Sequence, residues 1–314
     1  MFKTFAVTEP HWNHGVGRPK IPEGPVMNVY SYNTLEELVN ALQTAKASPD
    51  LVAALNQRVS GGIHVPRDFA TLEEAAGFLE RYADSDNDPY SISLRIFKDG
   101  ADAEHKANDD PDIVTIPRKI VLGEGTHQIQ YGHYLEVTSA MHILGDPDVL
   151  KSEIVVVGGI YFEEGIQGNC HLQHLTLSHS EGNGVYGSSS FTMEDVLVEQ
   201  CSGDGVVAIG AGVVGRCTNV EVRQCGGSGV VASNGASITL IGANTSVHHN
   251  CTNEVFDDYG LKVFGPSSTI QLLFPLTKEQ VSIDNGGGRN WGADGGADLV
   301  RDFEENPDLY IMSI

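Results

Sequence analysis

His174-Leu175-Thr176-Leu177-Ser178-His179-Ser180, Asp195-Val196-Leu197-Val198-Glu199-Gln200-Cys201, Asn219-Val220-Glu221-Val222-Arg223-Gln224-Cys225 and Asn244-Thr245-Ser246-Val247-His248-His249-Asn250 are four versions of one pattern. The second residue of each is mostly apolar, and the fourth always is. A glycine–hydrophobic pair follows each stretch: Gly184-Val185, Gly205-Val206, Gly229-Val230 and Gly260-Leu261. Alternation at period two predicts strands. Recurrence at a near-constant spacing predicts a solenoid. The last residues of the four stretches, at 180, 201, 225 and 250, are 21, 24 and 25 residues apart. That step suits one turn of a right-handed parallel β-helix.

Working outward, shorter β-branched runs closed by glycine precede the four repeats. They are Lys119-Ile120-Val121-Leu122-Gly123, Tyr134-Leu135-Glu136-Val137, Met141-His142-Ile143-Leu144-Gly145 and Ile154-Val155-Val156-Val157-Gly158. Ser267 to Leu273 reads as the last strand. The expected architecture is an all-β solenoid over residues 113–273, with roughly six or seven turns. Residues 1–112 form a helical N-terminal cap with an acidic loop, and 274–314 a C-terminal cap or tail. A solenoid end exposes unpaired backbone and needs such covering.

In the cap, Thr34-Leu35-Glu36-Glu37 and Thr71-Leu72-Glu73-Glu74 read as capped helix starts. Ser48-Pro49-Asp50 opens a further helix, with proline in the first turn. Residues 84–112 hold nine acids against three Lys or Arg and read as a surface loop. Asp84-Ser85-Asp86-Asn87-Asp88 begins like a calcium loop. Pro89 and Arg95 stand where such a loop needs glycine and glutamate, so that reading fails.

Composition narrows the partners. A formal charge of −23 disfavours nucleic acid and anionic membrane. Met1 to Pro10 has no apolar core of a signal peptide, and no apolar run approaches the ~20 residues of a membrane span. The five cysteines, an odd number, are then expected as free thiols in an intracellular protein or a particle assembled there.

Residues Ile113 to Leu273 resemble the pectin-lyase-like superfamily of right-handed parallel β-helices. Cys201-Ser202-Gly203-Asp204-Gly205-Val206-Val207-Ala208-Ile209-Gly210 and Cys225-Gly226-Gly227-Ser228-Gly229-Val230 resemble polygalacturonase segments, Gly-Asp-Asp-Cys-Ile-x-Ile and Gly-His-Gly. The resemblance implies a polysaccharide hydrolase or lyase, with calcium as a cofactor only in the lyase case. The chain departs from that pattern at the chemistry. Asp204 matches one aspartate of the pair, Gly205 replaces its partner, and Ser228 stands at the histidine. An inverting hydrolase needs two carboxyl groups, and Asp204 alone cannot serve as both. Pectate-lyase motifs built on arginine and aspartate are absent. The match is then expected to reflect rung geometry, with glycine where the chain turns.

If Val220 and Val222 point inward, Glu221 and Arg223 point outward. The same register puts Glu199, Arg223 and His248 in one outward column, with Glu221 diagonal to Glu199 at ~7–8 Å. That spacing falls in the range of an inverting pair. A guanidinium beside a carboxylate favours the charged form, the opposite of what a general acid requires. Catalytic residues are therefore unassigned, with Glu199, Glu221, Arg223, His248 and Asp204 as conditional candidates. Cys201, Cys225 and Asn250, led by Ser180, form an inward column. His248 and His249, adjacent on a strand, are expected on opposite faces, and His11-Trp12-Asn13-His14 lacks a partner cluster, so no metal site is expected. The expected function is a non-catalytic scaffold or binding protein, engaging a glycan, another protein or further copies of itself. The alternative is a lyase or glycoside hydrolase acting on a polyuronate-like glycan.

Overall fold

A computed structural model describes residues 35–44, 49–82, 91–96, 112–129, 134–253, 255, 257–294 and 301–303. The Thr34 cap, the calcium-like run at 84–88 and His11-Trp12-Asn13-His14 lie outside them.

The architecture is a parallel β-helix whose turns are built from three strand segments. The first arm stacks Ile63–Val65, Lys119–Leu122, His142–Gly145, the front halves of Cys170–Ser178 and Phe191–Glu199, then Val214–Thr218, Ser237–Ile241, Thr269–Leu273 and Arg301–Phe303. The second arm stacks Gly125–Gln128, Ile154–Val157, the back halves of the same two long strands, then Glu221–Arg223, Ser246–His248 and Ser282–Ile283. Both arms belong to one 14-stranded sheet. The third segment makes a separate 7-stranded sheet from Tyr134–Val137 to Arg289–Asp294.

The repeat explains the corners. His174, Asp195 and Asn219, the first residues of three repeats, have φ of 54°, 52° and 52° and bend one arm into the other. The sixth residues, His179, Gln200, Gln224 and His249, have φ of 52° to 56° and turn the chain out of the second arm. Asn, Asp and His tolerate this left-handed region better than other non-glycine residues, which accounts for the polar residue that opens each repeat.

Inside, Leu177 pairs with Val198, Val198 with Val222 and Val222 with Val247. All four are buried to 1% exposure or less. Parallel rungs lie ~4.8 Å apart, so the branched side chains of this column pack methyl to methyl. The expected register therefore holds.

The helices at Leu35–Thr44, Pro49–Val59 and Leu72–Arg81 close the N-terminal end, and their apolar faces are continuous with the solenoid core. Pro49 is the first residue of its helix. Thr71 accepts from the Glu74 amide, and the Glu74 carboxylate accepts from the Thr71 amide, a complete capping box. Asp68, 1% exposed, ties the cap together: it accepts from Arg58, Arg67 and the His64 amide. Burial opposes its ionisation, but these three donors outweigh it and hold its carboxyl below the ordinary carboxylate range.

Three expectations need correction. The ladder begins before residue 113, because Ile63–Val65 of the cap region pairs with Ile120 and its neighbours as the first rung. It also runs beyond Leu273, through Arg289–Asp294 and Arg301–Phe303. The 84–112 stretch is not wholly loop: Ser91–Ile96 pairs antiparallel with Asp112–Pro117. These strands have weak periodicity by themselves and exist because a neighbouring rung offers backbone partners. No helix among the described residues is long and apolar enough to cross a membrane.

Candidate functional site

The outer face of the second arm carries the predicted column. Glu199 pairs with Arg223 and Arg223 with His248. Arg223 Nε and Nη2 donate to Glu199 Oε2 at 2.9 and 2.8 Å, and Nη1 donates to Glu221 Oε1 at 2.9 Å. His248 Nε2 lies 3.2 Å from the same Glu221 oxygen. One guanidinium therefore engages both carboxylates, and the bonds to Glu199 raise the Arg223 pKa further above its ordinary value. This is a clamp between rungs. Each partly exposed pair of this kind contributes about 0–1 kcal/mol.

Asp204 lies on a different face. Its column is Asn183, Asp204, Ser228 and Tyr259, the residues just before Val185, Val206, Val230 and Leu261 by two positions. The Asp204 amide donates to Asn183 Oδ1 (2.8 Å), the Ser228 amide to Asp204 Oδ1 (2.6 Å) and the Tyr259 amide to Ser228 Oγ (3.1 Å). The Asn183 amide starts the series by donating to the Tyr134 hydroxyl at 2.7 Å. Each side-chain oxygen thus caps a backbone amide of the next rung. This ladder gives Asp204 a structural task, and it brings none of the other four candidates to Asp204.

Burial pushes the Asp204 carboxyl above its ordinary range; the Ser228 amide offsets this in part, and nearby Asp258 adds to it. A raised native pKa means that stability falls as pH rises from the ordinary carboxyl value through the native one. Asp204→Asn keeps an acceptor for Ser228 and removes that pH-dependent loss. Asp204→Ala strands the amide, at a cost of about 1–3 kcal/mol. Urea unfolding at pH 4 and pH 7 should show the Asn variant at least as stable as wild type at pH 7, and the Ala variant weaker at both.

A second titratable column lies on the first arm, where Lys119, His142 and His171 follow one another and the two imidazole centroids are 5.5 Å apart. Burial, then His171 and Lys119, depress the His142 pKa. The native state therefore binds this proton less readily than the unfolded chain. Its contribution is intact above the ordinary imidazole value of about 6.5 and is lost as pH falls through that value toward the native one. The melting temperature should drop between pH 7.5 and 5.5, and less so in His142→Gln.

Sequence reasoning missed two features. Asp195 accepts from Lys151 Nζ and lies against His174 Nδ1, each at 2.6 Å, and His174 Nε2 faces the Val149 carbonyl at 2.8 Å. Burial opposes ionisation of Asp195, but Lys151 and His174 outweigh it and lower its pKa. The cluster pins the 146–153 loop over the outer surface. Its only signal was the polar first position of the repeat.

The other missed feature is aromatic. Tyr134, Tyr161 and Tyr186 step along the outside of the third sheet with ring centroids 6.3 and 5.3 Å apart, edge to face. Tyr186 also lines a cleft of about 570 Å³ at the corner after this sheet, with Glu164, Ile166, Ser188, Ser190 and Val213. Ser189 donates to the Glu163 carbonyl and accepts from the Ile166 amide, and Ser190 accepts from the Val214 amide, which fixes the cleft walls. Val207 and Val231 continue the tyrosine column but are 5% and 6% exposed, so the accessible surface is the tyrosines and the cleft. A signal existed: tyrosines at 161 and 186 share a place in the repeat.

All five cysteines are free and buried. Burial pushes Cys170 up to about 11 and Cys217 and Cys251 up to about 12, far from a reactive thiolate. Among the described residues, no group of three or more His, Cys, Asp or Glu is placed to hold a metal ion.

Fold and surface define a parallel β-helix with one aromatic face. No family model, curated protein or solved structure matches the chain.

Proposed function

We propose that this protein is a non-catalytic β-helix that binds a neutral glycan along the outside of its third sheet. The tyrosine column beside the serine-lined cleft is the observation that carries the reading. Aromatic faces offer large, rigid apolar contact with a polar tip, which suits a sugar ring with its C–H face and its hydroxyls. Ligand sites are typically clefts with apolar walls and a few placed polar groups. The cleft lining includes one carboxylate, Glu164, and no cation. With a formal charge of −23, the chain would repel a polyuronate, so a neutral polymer fits better.

The non-catalytic part rests on the carboxylates. Glu199 and Glu221 are bound by one arginine, and Asp204 caps a backbone amide. None is placed as an acid–base pair around an open cleft, as glycoside hydrolysis requires.

The test is calorimetry against a panel of neutral and acidic oligosaccharides. Tyr186→Ala should weaken binding of a neutral ligand at least about tenfold, given the weight of aromatic anchors in recognition. Arg223→Ala, on another face, should leave it unchanged. A neutral ligand indifferent to Tyr186→Ala would sink the proposed surface. New reducing ends or unsaturated products, with or without calcium, would overturn the non-catalytic reading. Loss of that turnover in Glu199→Gln would establish the hydrolase or lyase alternative.

A further inference from the structure

His248 and His249 were expected to face opposite sides of a strand. They do not. His249 has φ of 56°, so the strand ends there and its side chain is re-aimed onto the face of His248. The two Nδ1 atoms lie 2.7 Å apart, with ring planes at 84°.

The other nitrogen of His248 is accounted for. Nε2 faces Glu221 Oε1 at 3.2 Å, and a carboxylate only accepts, so Nε2 carries the proton. In the neutral ring this turns the Nδ1 lone pair toward His249. A carboxylate that orients a histidine through its far nitrogen is the usual second layer of a metal site. Glu221 is in turn held by Arg223 Nη1 at 2.9 Å, and Arg223 by Glu199. The orienting group is therefore rigid.

We propose that His248 and His249 chelate a divalent transition metal of the nickel, copper or zinc class through their Nδ1 atoms. Metal–nitrogen bonds are about 2.0–2.1 Å. Two such ligands at a right angle stand about 2.8–3.0 Å apart, the cis spacing of the tetragonal geometry preferred by Cu(II) and Ni(II). The observed 2.7 Å is close to that spacing, and turning the rings about their Cβ–Cγ bonds brings both lone pairs onto one ion. Water completes the coordination, since His249 is exposed.

The surroundings favour a cation. Glu199 and Glu221 bring two negative charges against the single positive charge of Arg223. On the following rung Ile283 pairs with His248, so the exposed Asp284 follows beside His249. Gln224 holds the equivalent corner on the preceding rung.

The test is calorimetric titration of the full chain with Ni²⁺, Cu²⁺ and Zn²⁺ at pH 7.5 in a non-coordinating buffer, with melting curves in parallel. One equivalent should bind and raise the melting temperature. His248→Ala and His249→Asn should each weaken binding at least tenfold; asparagine tolerates the left-handed backbone, so the second variant keeps the corner. Both should melt near wild type without metal, which separates lost binding from lost structure. Glu221→Gln should weaken binding about tenfold while leaving both ligands in place. Retained affinity in His249→Asn overturns the proposal. So does a site that disappears in a His11→Ala/His14→Ala double variant, or the absence of binding by all three metals.

Discussion

Val222→Asp should unfold the middle of the solenoid at neutral pH or leave it more than about 4 kcal/mol less stable. Costs of that size come from a short set of causes, and an unpaired buried charge is one of them. Val222 is 1% exposed and sits between Val198 and Val247 in the inner column. No cation lies in that column to pair with the carboxylate. Solenoid stability is close to a sum over neighbouring rungs, so one bad rung weakens both interfaces it shares. Val222→Ala, which leaves only a cavity, should cost less. Urea unfolding followed by circular dichroism measures both. An aspartate variant with the wild-type midpoint would show that this column is not core.

The second large effect is expected from a single methyl group. Gly205→Ala should cost at least about 1–3 kcal/mol, the usual range for overpacking, and more if the strand cannot shift. A Cβ at Gly205 would lie 2.3 Å from Val222 Cγ1 and 2.6 Å from the Gly229 carbonyl oxygen. Gly184 and Gly229 meet Val198 and Val247 at 2.4 and 2.3 Å in the same way. This corrects the expectation that these glycines serve a turn, because none of them has positive φ. They are small so that the third sheet can close against the valine column. Gly77 is the control. It lies within the Leu72–Arg81 helix with nothing inside 4 Å of its would-be Cβ. Gly77→Ala should therefore stabilise by about 0.5–1 kcal/mol through helix propensity alone. Thermal or urea melts of the two variants should move in opposite directions. Equal shifts would remove the packing explanation.

Much of the site chemistry follows from the same stacking. In Glu199, Arg223 and His248 the sequence already showed a column, since strand alternation and the repeat spacing place all three. It could not show that Arg223 reaches both Glu199 and Glu221, because reach depends on side-chain torsions. The Asp204 segment shows the opposite hazard. Its likeness to a catalytic motif was real at the level of residues, yet the aspartate caps an amide on the next rung, and only the neighbours of Asp204 in space reveal that task.

The repeat made the solenoid, its inner column and the outward ladder legible, because a rung that recurs at two dozen residues must bury the same positions each time. The helical cap was legible from capping residues, which act within one turn of chain. Three other things required the folded chain. The outermost rungs at 63–65, 289–294 and 301–303 carry little pattern and become strands because an adjacent edge supplies hydrogen-bond partners. The His248–His249 approach depends on one residue leaving the strand for a left-handed corner, and an alternation rule has no term for that. The tyrosine column joins residues 134, 161 and 186. Tyr161 and Tyr186 share a repeat position, but Tyr134 reaches them from a neighbouring column because its ring is long. Periodic burial is written along the chain, whereas contacts across rungs are set by how far each side chain extends and where the backbone bends.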